Sequence, residues 1–185
     1  MHIVPTGLSR RICLPAIALA VLSACAGSAP PRALYRPGPT VAPTSGVFLE
    51  RATVVKVIDA DTIQMQLSGG RDMHVQLIGV DAPDGGEPWR GRANKLVVDT
   101  LKRGRTVYLE EGPLYWDNRK RHLAYLWLSN PATAGARQAP TYMLNAILLS
   151  SGYARIEPRT SNPKYGALFR SLELAAKRGE RGIWG

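Results

Sequence analysis

The chain of 185 residues carries a formal net charge of +10, is 45% hydrophobic and 21% charged, and contains two cysteines, Cys13 and Cys25. Its length fits one domain with extensions, and this composition excludes both a chain disordered throughout and a polytopic membrane protein. The basic excess points to a polyanionic partner, whether nucleic acid, anionic lipid or an acidic polymer. With both cysteines so near the start, the rest of the chain has no disulfide and no cysteine-based metal site.

Residues Met1 to Ala24 read as a secretory signal: Arg10 and Arg11 supply the positive start, and Ile12 to Leu22 is an apolar run. That run is shorter than the roughly 20 apolar residues of a membrane span. It ends in Leu22-Ser23-Ala24-Cys25, which resembles the bacterial lipobox. The resemblance implies lipidation of Cys25, a membrane anchor and a place in the cell envelope. Ala26 after the cysteine implies the outer membrane facing the periplasm, with secretion as the alternative. Residues 25–47 hold Pro30, Pro31, Pro37, Pro39 and Pro43 and read as a semi-extended tether. The folded domain is expected over 48–185, as a monomer.

Val-rich Ala52 to Ile58 predicts a first strand. Thr62 to Leu67 alternates Ile63, Met65 and Leu67 with polar residues, a half-buried second strand. Ser68 to Asp72 is turn chemistry. Met73 to Val80 predicts a third strand, with Val75, Leu77 and Gly79 on one face and His74, Gln76 and Ile78 on the other. Arg92 to Lys102 reads as a helix stopped by Gly104. Strands are expected at Thr106 to Glu110 and His122 to Leu128, and Ser129 to Pro140 reads as a surface loop. Helices follow at Thr141 to Ser150 and Lys164 to Lys177, the last burying Leu168, Leu172, Leu174 and Ala175. The expected class is α+β: a five-stranded OB-like barrel with three α-helices.

Asp59-Ala60-Asp61-Thr62 lies at the corner between the first two strands, and Asp81-Ala82-Pro83-Asp84 follows the third. In a meander the end of the third strand lies beside the start of the second, which would bring Asp61 and Asp81 together. Two carboxylates with backbone carbonyls and water make an oxygen-only site suited to a hard cation. The same aspartates are also ordinary turn formers.

Val57 to Thr62, Leu77 to Asp84 and Asp117 to Tyr125, with Gly152-Tyr153-Ala154 and Arg181-Gly182-Ile183-Trp184, resemble in order and spacing the signature blocks of the staphylococcal nuclease (thermonuclease) family. The resemblance runs from about Thr53 to Trp184. It implies hydrolysis of phosphodiester bonds in DNA or RNA with a Ca²⁺ cofactor. It implies that Asp61 and Asp81 are carboxylate ligands of the ion and that Ala82 supplies a backbone carbonyl. It further implies that Asp84 acts on the attacking water, that Arg121 binds the scissile phosphate, and that Gln76 stands at a second phosphate-binding position. The chemistry is coherent: Ca²⁺ and a guanidinium neutralise the phosphoryl oxygens, and the arginine fork holds two of them.

Four departures from the family pattern bear on activity. Gln76 replaces an arginine, Asp84 replaces a glutamate, Ala60 replaces a glycine, and Arg119 with Pro158-Arg159-Thr160 stand where tyrosines stack on the base. Arg71, His74, Glu87, Arg119 and Arg159 are candidates for compensation. Trp116 is expected at a packed rim, with stacking on a base as the alternative, and Trp184 as an anchor in the core. Two functional readings follow: a Ca²⁺-dependent nuclease held in the envelope, or a weakened module that binds nucleic acid or an envelope partner without cutting.

Overall fold

The structure is a computed structural model that describes residues 49–134, 136–157 and 164–185. The predicted signal segment, the tether, Cys25, and Pro158 to Thr160 lie outside the described residues. Strands β1 (Leu49–Asp59), β2 (Thr62–Leu67), β3 (Asp72–Leu77), β5 (Thr106–Trp116) and β6 (His122–Trp127) close a barrel in the order β1-β2-β3-β6-β5. A two-residue strand β4 (Val80–Asp81) pairs with β7 (Arg155–Ile156) outside it. The helices are α1 (Arg90–Leu101), α2 (Pro131–Ala134), α3 (Ala139–Tyr142), α4 (Leu144–Ser151) and α5 (Gly166–Arg178). The expected OB-like α+β class stands. Its three predicted helices correspond to α1, α4 and α5, and α2 and α3 are additional single turns.

The alternation read in β2 is what sets the register. Ile63, Met65 and Leu67 are buried, and so are Met73, Val75 and Leu77 on β3. A slip of one residue would turn three apolar side chains of one strand to solvent at about 2 kcal/mol each. The observed register is therefore favoured by several kcal/mol, and it pairs Thr62 with Gln76 at the barrel mouth. Strand β1 serves two neighbours, pairing Ala52 to Asp59 with β2 and Leu49 to Thr53 with β5. Register shifts between Val54 and Lys56 and between Val57 and Asp59 bend it around the barrel. The β3–β6 contact is the parallel one, Val75↔His122 to Leu77↔Ala124.

The third predicted strand does not run to Val80. It breaks at Ile78-Gly79, where Gly79 takes φ +74°. A Cβ on Gly79 would also lie 3.0 Å from the ring of Phe169, so conformation and packing both select glycine. The break turns Ile78 into the core rather than to the polar face. Its amide donates to the Ala124 carbonyl (3.0 Å), and its carbonyl accepts from Asn145 Nδ2 (2.9 Å). Asn145 is fully buried, and its Oδ1 accepts from the Leu126 amide (3.1 Å). One side chain on α4 thus satisfies both the broken strand and β6.

Three further expectations are corrected. Ser129 to Pro140 contains α2, a 3-10 turn at Ala136–Gln138 and the start of α3, so it is more than a loop. The predicted helix Thr141 to Ser150 is split at Met143, which is extended (φ −102°, ψ 119°) and bridges to Trp127. On α5 the buried stripe is Phe169, Leu172 and Ala176, while Leu174 is 47% exposed.

Strand β6 is buried on both faces from Ala124 to Trp127. Tyr125 and Trp127 meet Tyr165 edge-on at ring-centroid separations of 4.7 and 6.1 Å. Among these rings lies Glu110, 2% exposed. It accepts from Trp127 Nε1 (2.9 Å) and the Tyr165 hydroxyl (2.9 Å) and pairs with Lys164 Nζ (2.5 Å). Burial, and then the Glu110 charge, push the phenols of Tyr125 and Tyr165 well above the ordinary tyrosine range. Trp184 is half-buried rather than a core anchor, with Lys177 over its ring at 4.4 Å.

Candidate active site

The acid side of the site is built by the β2–β3 pairing. The Leu77 amide donates to the Asp61 carbonyl (2.8 Å), which fixes the corner before β2 against the end of β3. Of the two corner aspartates, Asp59 is neutralised by Arg90 (2.6 Å). Asp61 instead turns toward the segment after β4: its Oδ2 accepts from the Ala82 amide (3.3 Å) and its Oδ1 from the Thr62 hydroxyl (3.0 Å). Asp81 itself is held by β4–β7 pairing with Arg155. Burial raises the Asp81 carboxyl above the usual aspartate value, and the charges of Glu157, Asp61, Glu87 and Asp84 raise it further. The structure therefore brings Asp61 and Asp81 to one end of the barrel, as the meander predicted.

Asp84 and Glu87 share the exposed turn after Pro83. The Asp84 amide donates to Glu87 Oε2 (3.3 Å), and the Glu87 amide donates to the Asp84 carbonyl (2.7 Å). The two carboxylates thus belong to one loop, and both contribute to the field at Asp81. Gly85 and Gly86 take positive φ values there.

Arg121 stands on the other side of Thr62. Its Nε donates to Asp117 Oδ2 (2.7 Å), and its Nη1 donates to Thr62 Oγ1 (3.1 Å) and to Gln76 Oε1. The Thr62 hydroxyl also lies 2.7 Å from Gln76 Oε1. The single hydroxyl proton serves either Asp61 or Gln76, so Thr62 is the link from Asp61 to the guanidinium while Gln76 braces the same Nη1. Nη2 has no hydrogen-bond partner among the described residues, so one arm of the fork remains for an outside acceptor. Burial opposes ionisation of Asp117. The Arg121 amide, guanidinium and charge, with the Arg119 amide, outweigh it and hold the carboxyl below the usual range.

Gln76 is therefore placed differently from a second phosphate-binding cation. Its carbonyl oxygen steadies Arg121, and only its amide nitrogen is left to donate outward. Arg71 and His74 line the same groove as Arg121, whereas Arg159 lies outside the described residues. His122 is buried; burial holds it below the ordinary histidine value, as suits a packing role. Trp116 is not packed at a rim but is 51% exposed.

Two contributors were not read from the sequence. The sequence marks Thr62 only as the first residue of a strand; the burial that requires a partner for its hydroxyl arises in the fold. Asp117 opens the turn before Arg121. Its Oδ1 accepts from the amides of Arg119 (2.9 Å) and Arg121 (2.8 Å), the usual behaviour of an aspartate at a turn.

A closed five-stranded mixed barrel with acids and a clamped arginine at one end defines a nuclease-like OB module. The family model described as staphylococcal nuclease homologue matches residues 74–185, and the chain belongs to that family. The match begins inside β3 and includes Gln76, Asp81, Ala82, Asp84 and Arg121, while Asp61 precedes it. The chain is 30% identical over 152 residues to a thermonuclease of Staphylococcus intermedius, covering 80% of this chain and 83% of the relative. It is 27% identical over 134 residues to a micrococcal nuclease of Shigella flexneri, covering 72% and 73%. An uncharacterized protein of Methanocaldococcus jannaschii is 27% identical over 155 residues, covering 71% and 70%.

Proposed function

We propose that the protein is a Ca²⁺-dependent phosphodiester hydrolase acting on DNA or RNA, held as a monomer in the cell envelope by a lipidated Cys25. The observation that carries the catalytic part is the hydrogen-bonded link from Asp61 through Thr62 to Arg121, whose guanidinium Gln76 also braces. The lipobox-like Leu22-Ser23-Ala24-Cys25 after an apolar run carries the anchoring part. Several lipid chains on one cysteine would anchor firmly, at about 0.8 kcal/mol per buried CH₂.

The donor set fits the ion. Asp61, Asp81 and the Ala82 carbonyl are hard oxygen ligands, and a dication would offset the burial and the neighbouring carboxylates that raise the Asp81 carboxyl. Among the described residues no three acidic, histidine or cysteine side chains form a ready metal cluster. Carbonyl and water ligands complete such a site, as Ca²⁺ with its 6–8 oxygens readily accepts. When bound, the ion supplies charge neutralisation at the phosphoryl oxygens. Arg121 holds the phosphate through its free arm and stabilises the charge that grows on it. Asp84, or Glu87 on the same loop, accepts a proton from water as its oxygen forms the new bond to phosphorus. The P–O bond to the leaving sugar breaks, and that oxygen takes a proton from solvent.

The test is digestion of plasmid and single-stranded DNA with Ca²⁺ and with chelator, for the wild type and Asp61→Ala. Cutting that needs Ca²⁺ and is lost in Asp61→Ala supports the hydrolase. Binding without cutting favours the second reading, a nucleic-acid-binding module. The observation behind that reading is Gln76, which stands uncharged where the family has an arginine.

A melting experiment on Asp81→Asn bears on the ion. The raised carboxyl value means that the fold disfavours the ionised form, so ionisation at neutral pH lowers stability. In chelator, Asp81→Asn is expected to melt above the wild type. In Ca²⁺ the order reverses, because ligand at about 100 Kd stabilises the wild type by about 2.7 kcal/mol. An unchanged order in Ca²⁺ would remove Asp81 from the ligand set.

A further inference from the structure

Between the β2–β3 hairpin and the turn joining β5 to β6 lies a groove of about 350 Å³, and Arg121 forms part of its lining. Arg71 and His74 line it from the hairpin, and Trp116, Arg119 and Lys120 from the turn. Its one acid, Asp72, is occupied by the side-chain amides of Gln64 (3.5 Å) and Gln66 (3.2 Å). The Trp116 ring is 51% exposed and is set at 76° to the buried His122 ring, 5.2 Å away. The turn that carries the cations is pinned by the two amide bonds to Asp117. Lys120 occupies a left-handed conformation, φ +58°, which glycine would adopt at less cost.

We infer that this groove is a subsite for the nucleotide next to the scissile phosphate in a single-stranded chain, with Trp116 stacking on its base and Arg119 and Lys120 holding its phosphate. The inference rests on the hydrolase reading for the position of the scissile phosphate at Arg121. The volume lies at the small-ligand end of binding pockets, about 300–1,000 Å³, which suits one nucleotide and not a duplex. A base can lie on an indole face only when it is free of its own stack, so the groove selects single strands.

The experiment is fluorescence-anisotropy titration of a short labelled single strand and of the same sequence as a duplex. Chelator is present throughout so that binding is read without cutting. Trp116→Ala is expected to weaken single-strand binding about 5- to 150-fold and to leave duplex binding unchanged, with Trp116→Phe recovering most of the loss. Arg119→Gln with Lys120→Gly removes two phosphate contacts, so the slope of log K against log salt is expected to become shallower by about 1.4. Lys120→Gly relieves the left-handed backbone, so a binding loss in a variant that still melts normally is not a folding loss. Single-strand affinity within twofold of wild type in Trp116→Ala, or an unchanged salt slope in the double variant, overturns the subsite. So does a wild type that binds no single strand. A wild type that binds with this pattern yet cuts nothing when Ca²⁺ is restored overturns the hydrolase reading and leaves the groove as a single-strand binding site without a scissile phosphate beside it.

Discussion

Arg121→Lys is expected to slow single-turnover cutting by about 10²–10³-fold, with most of the loss in kcat. The charge survives this substitution, so a purely electrostatic role would predict a mild effect. Arg121 does three things with one rigid fork: Nε is held by Asp117, Nη1 by Thr62 and Gln76, and Nη2 is left for substrate. A lysine ammonium is a point charge on a flexible stem and cannot hold those directions together. A misplacement of about 1 Å at a reacting centre costs on the order of 100-fold, which puts the positional loss in the same range. The side chain is 24% exposed, and its partner Asp117 15%. Melting of Arg121→Lys is therefore expected to change much less than its rate. A lysine variant that cuts within threefold of the wild type would show that the fork is not used.

The largest expected stability effect is at Glu110. Glu110→Ala is expected to lower the free energy of unfolding by about 3–5 kcal/mol, read as a fall in the urea midpoint with an unchanged slope. Removing the carboxylate takes the acceptor from a buried indole N–H and a buried phenol, and one ion-pair contact from Lys164. Each group left without an acceptor carries a desolvation penalty of about 1–3 kcal/mol. Glu110→Gln keeps the shape and one acceptor oxygen but loses the charge and turns the second oxygen into an NH₂ donor, so it is expected to fall between wild type and alanine. If alanine costs under 1 kcal/mol, solvent reaches this cluster and the β5–β6–α5 junction is looser than its burial indicates.

What was legible in the sequence follows from which forces are local. β2 was read to the residue because alternation and flanking turn residues both mark it. The break at Ile78-Gly79 was not, because Val75, Leu77 and Gly79 keep a period of two until the backbone turns. The packing that selects glycine at the turn comes from Phe169, far along the chain. The buried stripe of α5 was misphased for a similar reason. Leu174 is a better apolar residue than Ala176, but the ring cluster of Tyr125, Tyr165 and Phe169 fixes the rotation of the helix. In the site, the Asp61 and Asp81 neighbourhood follows from meander geometry. The clamp on Arg121 does not, because Thr62 and Gln76 reach it only once β3 and β6 lie side by side.

That parallel ladder also sets when the clamp on Arg121 can form. A hairpin of β2 and β3 forms from neighbouring residues and already holds Asp61, Thr62 and Gln76. Arg121 arrives only after α1 and β5 have been laid down and β6 has docked on β3. Pairings of such long sequence separation are the slow ones in folding, since chain closure is opposed before any contact rewards it. An open barrel therefore lacks its phosphate clamp. On the proposed hydrolase reading, a half-folded chain would be harmless to nucleic acid, and cutting competence would appear together with the last cooperative step rather than gradually before it.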